Sequence, residues 1–153
     1  MSAPSAHPRH GRRFGVDIQP ITSTETVTAD RAWLMNLHGS GMNTTITLDV
    51  TKFTSGTHYV AASGPLMPYH RFKSGLPLGR LTASGLYAPY KADATDGSEV
   101  LAGLLATETT FNPTTTKVAA ALLVHGQVKT AKLPVALTVP AAEDRTDSIV
   151  FTA

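Results

Sequence analysis

The chain reads as mainly β, an α+β fold with only short helices: a compact β-rich body carrying an extended N-terminal arm. Three observations predict it. Threonine occurs 22 times in 153 residues, and its β-branched side chain suits a pleated, half-buried surface better than a helix. The 10 prolines and 12 glycines are spread along the chain, so long helices would be interrupted before they formed. Apolar residues come either in strict alternation or in short runs bounded by turn residues, which is how strands read.

The length fits one domain, residues 29–153, preceded by an arm over residues 1–28. A chain of this size buries roughly two-thirds of its unfolded surface and can support its own core. Charged residues make up only 16%, against about 25% in an ordinary globular protein. Such a surface is either covered by a partner or solvated by Ser and Thr. A net charge of +2 is too small to imply general nucleic-acid binding. Without cysteine a disulfide framework, a thiolate metal site and a Cys nucleophile are all excluded. No run of 18 apolar residues predicts a membrane span. The N-terminal arginines precede no apolar core of the kind a secretory signal needs.

Residues 1–15 combine Pro4, Pro8, Gly11 and Gly15 with Arg9, Arg12 and Arg13 and no acid. They hold too little apolar surface to offset the entropy of ordering, and the expectation is an arm that orders only on a larger partner. Residues 16–28 place Val16, Ile18, Ile21 and Val27 among Thr and Gln, with Pro20 removing one ladder donor. This suits an edge strand or a strand added to another protein's sheet, or else an ordinary first strand of the body.

Residues 30–41 contain the single Trp, Trp33, expected as a core anchor on a helix or a strand. Residues 43–53 give the clearest strand: Ile46, Leu48 and Val50 alternate with Thr45, Thr47, Asp49 and Thr51. A short strand is expected over 57–62 and a loop over 63–77 that turns the rings near Tyr69 and Phe72 inward. Residues 76–105 read as strand, Ser84-Gly85 turn, strand, Asp96-Gly97 loop and apolar strand. A polar loop follows over 108–116, then a buried strand over 117–124 that His125-Gly126 breaks. One or two strands are expected over 127–132 and 135–139, a helical turn within 140–147, and a docking strand over 148–151.

Chemistry is thinly signalled. Six histidines show no H-E-x-x-H pattern, Gly39-Ser40-Gly41 lacks the spacing of a nucleophile elbow or a dinucleotide loop, and no P-loop is present. Asp96 and Glu99 form the nearest approach to a carboxylate pair, but Asp-Gly is ordinary turn chemistry. The expectation is a protein that is not an enzyme and has no cofactor or metal.

Several pieces stand together in a distinctive order: Leu78-Gly79-Arg80-Leu81-Thr82, Ser84-Gly85-Leu86-Tyr87, Pro89-Tyr90, Asp96-Gly97-Ser98 and the apolar run 100–105. In these the chain resembles the lambda-type phage head decoration proteins, well over residues 75–111 and more loosely to residue 151. The resemblance implies a β-dominated homotrimer that sits on the outer surface of the virion at three-fold positions and reinforces the expanded head. It also implies the major capsid protein as partner, with no membrane and no specific nucleic acid, and assembly in the host cytoplasm. The arm would pair with capsid strands through Ile18, Gln19, Ile21, Thr22, Thr24, Thr26 and Val27, with Arg12 and Arg13 as further capsid contacts. This arm is longer and richer in arginine than the family's. The alternative from another class is a β-rich glycan- or surface-binding module displayed on a virion.

Overall fold

The computed structural model describes residues 28–153. Strand β1 (Asn43–Asp49) carries the expected alternation, with Ile46 and Leu48 buried and Thr45 and Thr47 exposed. It ends in a 3₁₀ turn (Val50–Lys52), where the Asp49 carboxylate accepts the Thr51 N–H at 3.1 Å and so caps a free donor. Next come β2 (Tyr59–Val60), β3 (His70–Phe72), β4 (Pro77–Arg80), β5 (Tyr87–Pro89) and β6 (Leu101–Leu105). They are followed by β7 (Thr109–Phe111), β8 (Lys117–Leu123), β9 (His125–Lys129) and β10 (Ser148–Thr152).

Five strands close a barrel in the order β1-β5-β4-β6-β8. The longest seam is antiparallel, β1 on β8, running from Asn43 opposite Leu123 to Asp49 opposite Lys117. Closure comes from the parallel contact of β1 with β5, where Leu48 faces Tyr87. Closure leaves these strands without an open edge. A three-stranded sheet, β2-β3-β7, and a parallel pair, β9 with β10, pack around the barrel.

Strand β6 and the end of β8 form a wall between two cores, which explains the apolar runs there. From Lys117 to Ala121 β8 is exposed or half-buried, so the buried strand expected over 117–124 is buried only at Leu122 and Leu123. On one side Leu105 and Leu122 join Ile46, Leu48, Phe72, Leu78 and Phe111. On the other, Leu104 and Leu123 join Trp33, Val128 and Ile149. Gly103 (φ +152°) lets the two strands approach closely: a Cβ there would lie 2.3 Å from the Leu123 carbonyl oxygen. Burying strands on both faces removes the period-2 signal that a half-exposed strand shows.

Four expectations need correction. Residues 63–77 are not wholly loop, because His70, Arg71 and Phe72 pair with both β2 and β7; Phe72 is fully buried, while Tyr69 remains 50% exposed. The polar stretch 108–116 contains β7. Residues 135–139 form no strand. Pro134 and Pro140 flank them, and Val135 packs on the barrel core from an irregular segment. Residues 30–41 are neither helix nor regular strand, only turns and one bridge from Leu34 to Val128. The expected strand over 57–62 shrinks to the two residues of β2. The helical turn expected within 140–147 is present as Ala142–Asp144, and the closing strand is β10.

Candidate functional site

The nine residues expected to grip the capsid — Arg12, Arg13, Ile18, Gln19, Ile21, Thr22, Thr24, Thr26 and Val27 — lie outside the described residues. The place where the body receives the chain after them is well defined. Trp33 is buried, and its indole Nε1–H donates to Ser74 Oγ at 3.1 Å. The Ser74 hydroxyl in turn donates to the Asp30 carbonyl. The Asp30 N–H donates to Glu108 Oε1 at 2.6 Å. The indole lies so close over Gly75 (φ +78°) that a Cβ there would come within 2.8 Å of the ring. Gly75 therefore supplies both a left-handed turn and the space for Trp33.

These contacts fix residues 30–33 against the turn after β3 and the residue before β7. Beside them lies a cleft of about 210 Å³ lined by Thr28, Val60, Arg71, Lys132, Pro134 and the clamp residues. The clamp escaped the sequence reading because its parts are far apart: Asp30 meets Glu108 across 78 positions and Trp33 meets Ser74 across 41. The only local signal was a lone Trp three residues after an Asp.

The motif that carries the resemblance is a backbone knot. Gly79 in β4 packs against the loop after β5: a Cβ on Gly79 would lie 2.5 Å from the Ser98 carbonyl oxygen. Gly97 (φ +102°) packs the other way, 2.4 Å from the Arg80 carbonyl by the same measure. Thr82 donates both its N–H (2.8 Å) and its hydroxyl (3.0 Å) to the Asp96 carbonyl. The Asp96 carboxylate accepts the Ser98 N–H at 3.1 Å and its hydroxyl at 2.6 Å. Those two bonds, side chain first, hold the exposed Asp96 carboxyl below its ordinary pKa. Glu99 Oε2 accepts the Gly97 N–H at 2.7 Å. Both acids thus close the same turn, and the motif is a structural joint, not a pair set up for acid–base work.

Among the described residues no group of three or more His, Asp or Glu is placed to hold a metal ion. Large apolar side chains do reach solvent. Leu37 (76% exposed) and Met42 (73%) lie on the chain between Trp33 and β1, and Met35 and Val150 flank the β9–β10 pair. Val60, Leu66 and Tyr69 form a second exposed set around β2 and the loop after it.

Comparison with protein families matches residues 42–149 to bacteriophage lambda head decoration protein D. No curated protein and no solved structure gives a significant match. The match spans the whole barrel, the β2-β3-β7 sheet and most of the outer pair. By that match over most of its length, the chain belongs to the bacteriophage lambda head decoration protein D family, structural proteins of the phage head, and its role is capsid decoration.

Proposed function

We propose that this protein is a homotrimeric cementing clip. It binds the expanded head at three-fold positions on the outer surface, and the arm, residues 1–28, adds a strand to the major capsid protein. The family match carries this reading, and the clamp of Asp30 and Trp33 on Ser74 and Glu108 supports it. A tether transmits load only if its root is fixed, and this root is held by a buried Trp and three hydrogen bonds. In this reading Ile18, Gln19, Ile21, Thr22, Thr24, Thr26 and Val27 supply the added strand, and Arg12 and Arg13 make further capsid contacts.

A ligand that binds only the expanded lattice stabilises that lattice by mass action. Three arms on one trimer raise the effective concentration for the second and third attachments, so strands that are weak singly hold durably together. Light scattering on the free protein and heat resistance of decorated heads test the two halves of the proposal. A trimer mass and a raised disruption temperature are expected. A monomer at all concentrations, or equal resistance of bare and decorated heads, contradicts it.

A further inference from the structure

Residues 54–70 leave the barrel as one excursion carrying β2 and the exposed side chains of Val60, Leu66 and Tyr69. Two imidazoles hold it in shape. His58 Nδ1 lies 2.8 Å from the Thr54 nitrogen and accepts its N–H. His70 Nδ1, on β3, accepts the Ala62 N–H at 2.7 Å. A ring nitrogen that accepts is unprotonated, so both neutral rings carry their proton on Nε2. Each ring also packs edgewise or tilted on aromatic neighbours, His58 on Phe53 at 5.6 Å, and His70 on Tyr59 at 5.1 Å and Phe111 at 5.2 Å.

We propose that His58 and His70 are an acid-sensitive latch on residues 54–70. Protonation at Nδ1 turns each acceptor into a donor facing a backbone N–H, and the excursion loosens while the barrel stays folded. At His58 a neighbouring cation opposes the added charge. Lys73 stands beside His58, and its Nζ donates to the Gly56 and Thr57 carbonyls at 2.6 and 2.9 Å, inside the same excursion. Lys52, Tyr90, Lys91, Asp93 and Asp96 line the cleft that His58 shares with them. His70 has Arg71 next to it on β3 and Tyr59 opposite.

Burial first, and Lys73 second, hold the His58 pKa below its ordinary value; the Thr54 backbone pulls it upward by less. A lowered folded-state pKa means that the folded form resists the proton. The contribution of His58 is therefore present above the unfolded value, about 6.5, and is lost as pH falls through the folded one.

Amide exchange on the full chain, read by NMR as protection factors from pH 7.5 down to pH 5, tests the latch. Thr54 and Ala62 are expected to lose protection as pH falls, Thr54 by up to about tenfold per pH unit, while Leu48 and Leu104 in the barrel keep theirs. The double variant His58→Asn, His70→Asn keeps an acceptor near each Nδ1 position but does not titrate, and its protection at these amides should stay flat. Nitrogen shifts of the wild-type rings give a second readout that needs no variant: Nδ1 should be unprotonated at neutral pH. The latch is overturned if Thr54 and Ala62 follow the barrel amides, if the Asn pair loosens in acid as the wild type does, or if Nδ1 carries the proton at pH 7.5.

Discussion

Trp33 is the residue on which the root of the arm depends. It fills the outer core with Leu104, Leu123, Val128 and Ile149, and its indole N–H is satisfied by Ser74. Trp33→Ala leaves a cavity and removes the donor to Ser74 Oγ, whose own bond to the Asp30 carbonyl remains, so urea denaturation should show a loss of about 3–5 kcal/mol. Ser74→Ala keeps the packing but leaves a buried indole N–H unpaired, and about 1–3 kcal/mol is expected by the same measurement. Asp147 behaves in the opposite sense. Its Oδ1 accepts the Ile149 N–H at 2.9 Å, but its buried Oδ2 has no partner. Burial pushes its pKa above the ordinary 3.8, despite that bond and nearby Arg145. The contribution of a raised carboxyl is present below the unfolded value and lost as pH rises through the folded one, so ionised Asp147 weakens the fold at neutral pH. Asp147→Asn keeps the acceptor for Ile149, and its denaturation midpoint at pH 7 should equal or exceed that of the wild type. A clear loss would show that the carboxylate charge is needed.

At the scale of elements, a close-packed joint holds β4 to the loop of residues 96–98. Both Gly79 and Gly97 face backbone at distances no Cβ tolerates, and Gly97 also has a left-handed φ. Gly97→Ala should therefore cost at least about 1–3 kcal/mol, visible as a lowered thermal midpoint, whereas Ala94→Gly in the neighbouring turn should change it little. The elements of this joint, a strand and an Asp-Gly-Ser turn, were legible in the sequence because their signals are local; the packing of Gly79 against Ser98 was not, because it joins a strand to a separate loop. β1 was legible for the same reason, its alternation running undisturbed through Ile46 and Leu48. β3 and β7 were not. Each has three residues, too few for periodicity, and each becomes a strand only through a partner distant in sequence. Residues 135–139 show the converse error. Their apolar content reflects docking on the barrel core by Val135, and no neighbouring strand offers them a ladder. The parallel pairing of β9 with β10 could be guessed only as far as β10 docking somewhere, since nothing within five residues of apolar sequence names its neighbour.

At the scale of the whole molecule, a closed barrel with two satellite sheets supports a chain that enters through a clamped root. The family and the decoration role rest on the matched body; the residues proposed to grip the capsid lie before the described residues. In the proposed function the body folds without the arm and the arm makes the attachment. The direct measurement is co-sedimentation with expanded heads of the full chain and of a form lacking residues 1–27, after circular dichroism and sedimentation have established that both are folded trimers. The full chain should pellet with the heads and the shortened one should stay in the supernatant. A shortened trimer that pellets as completely as the full chain would contradict it.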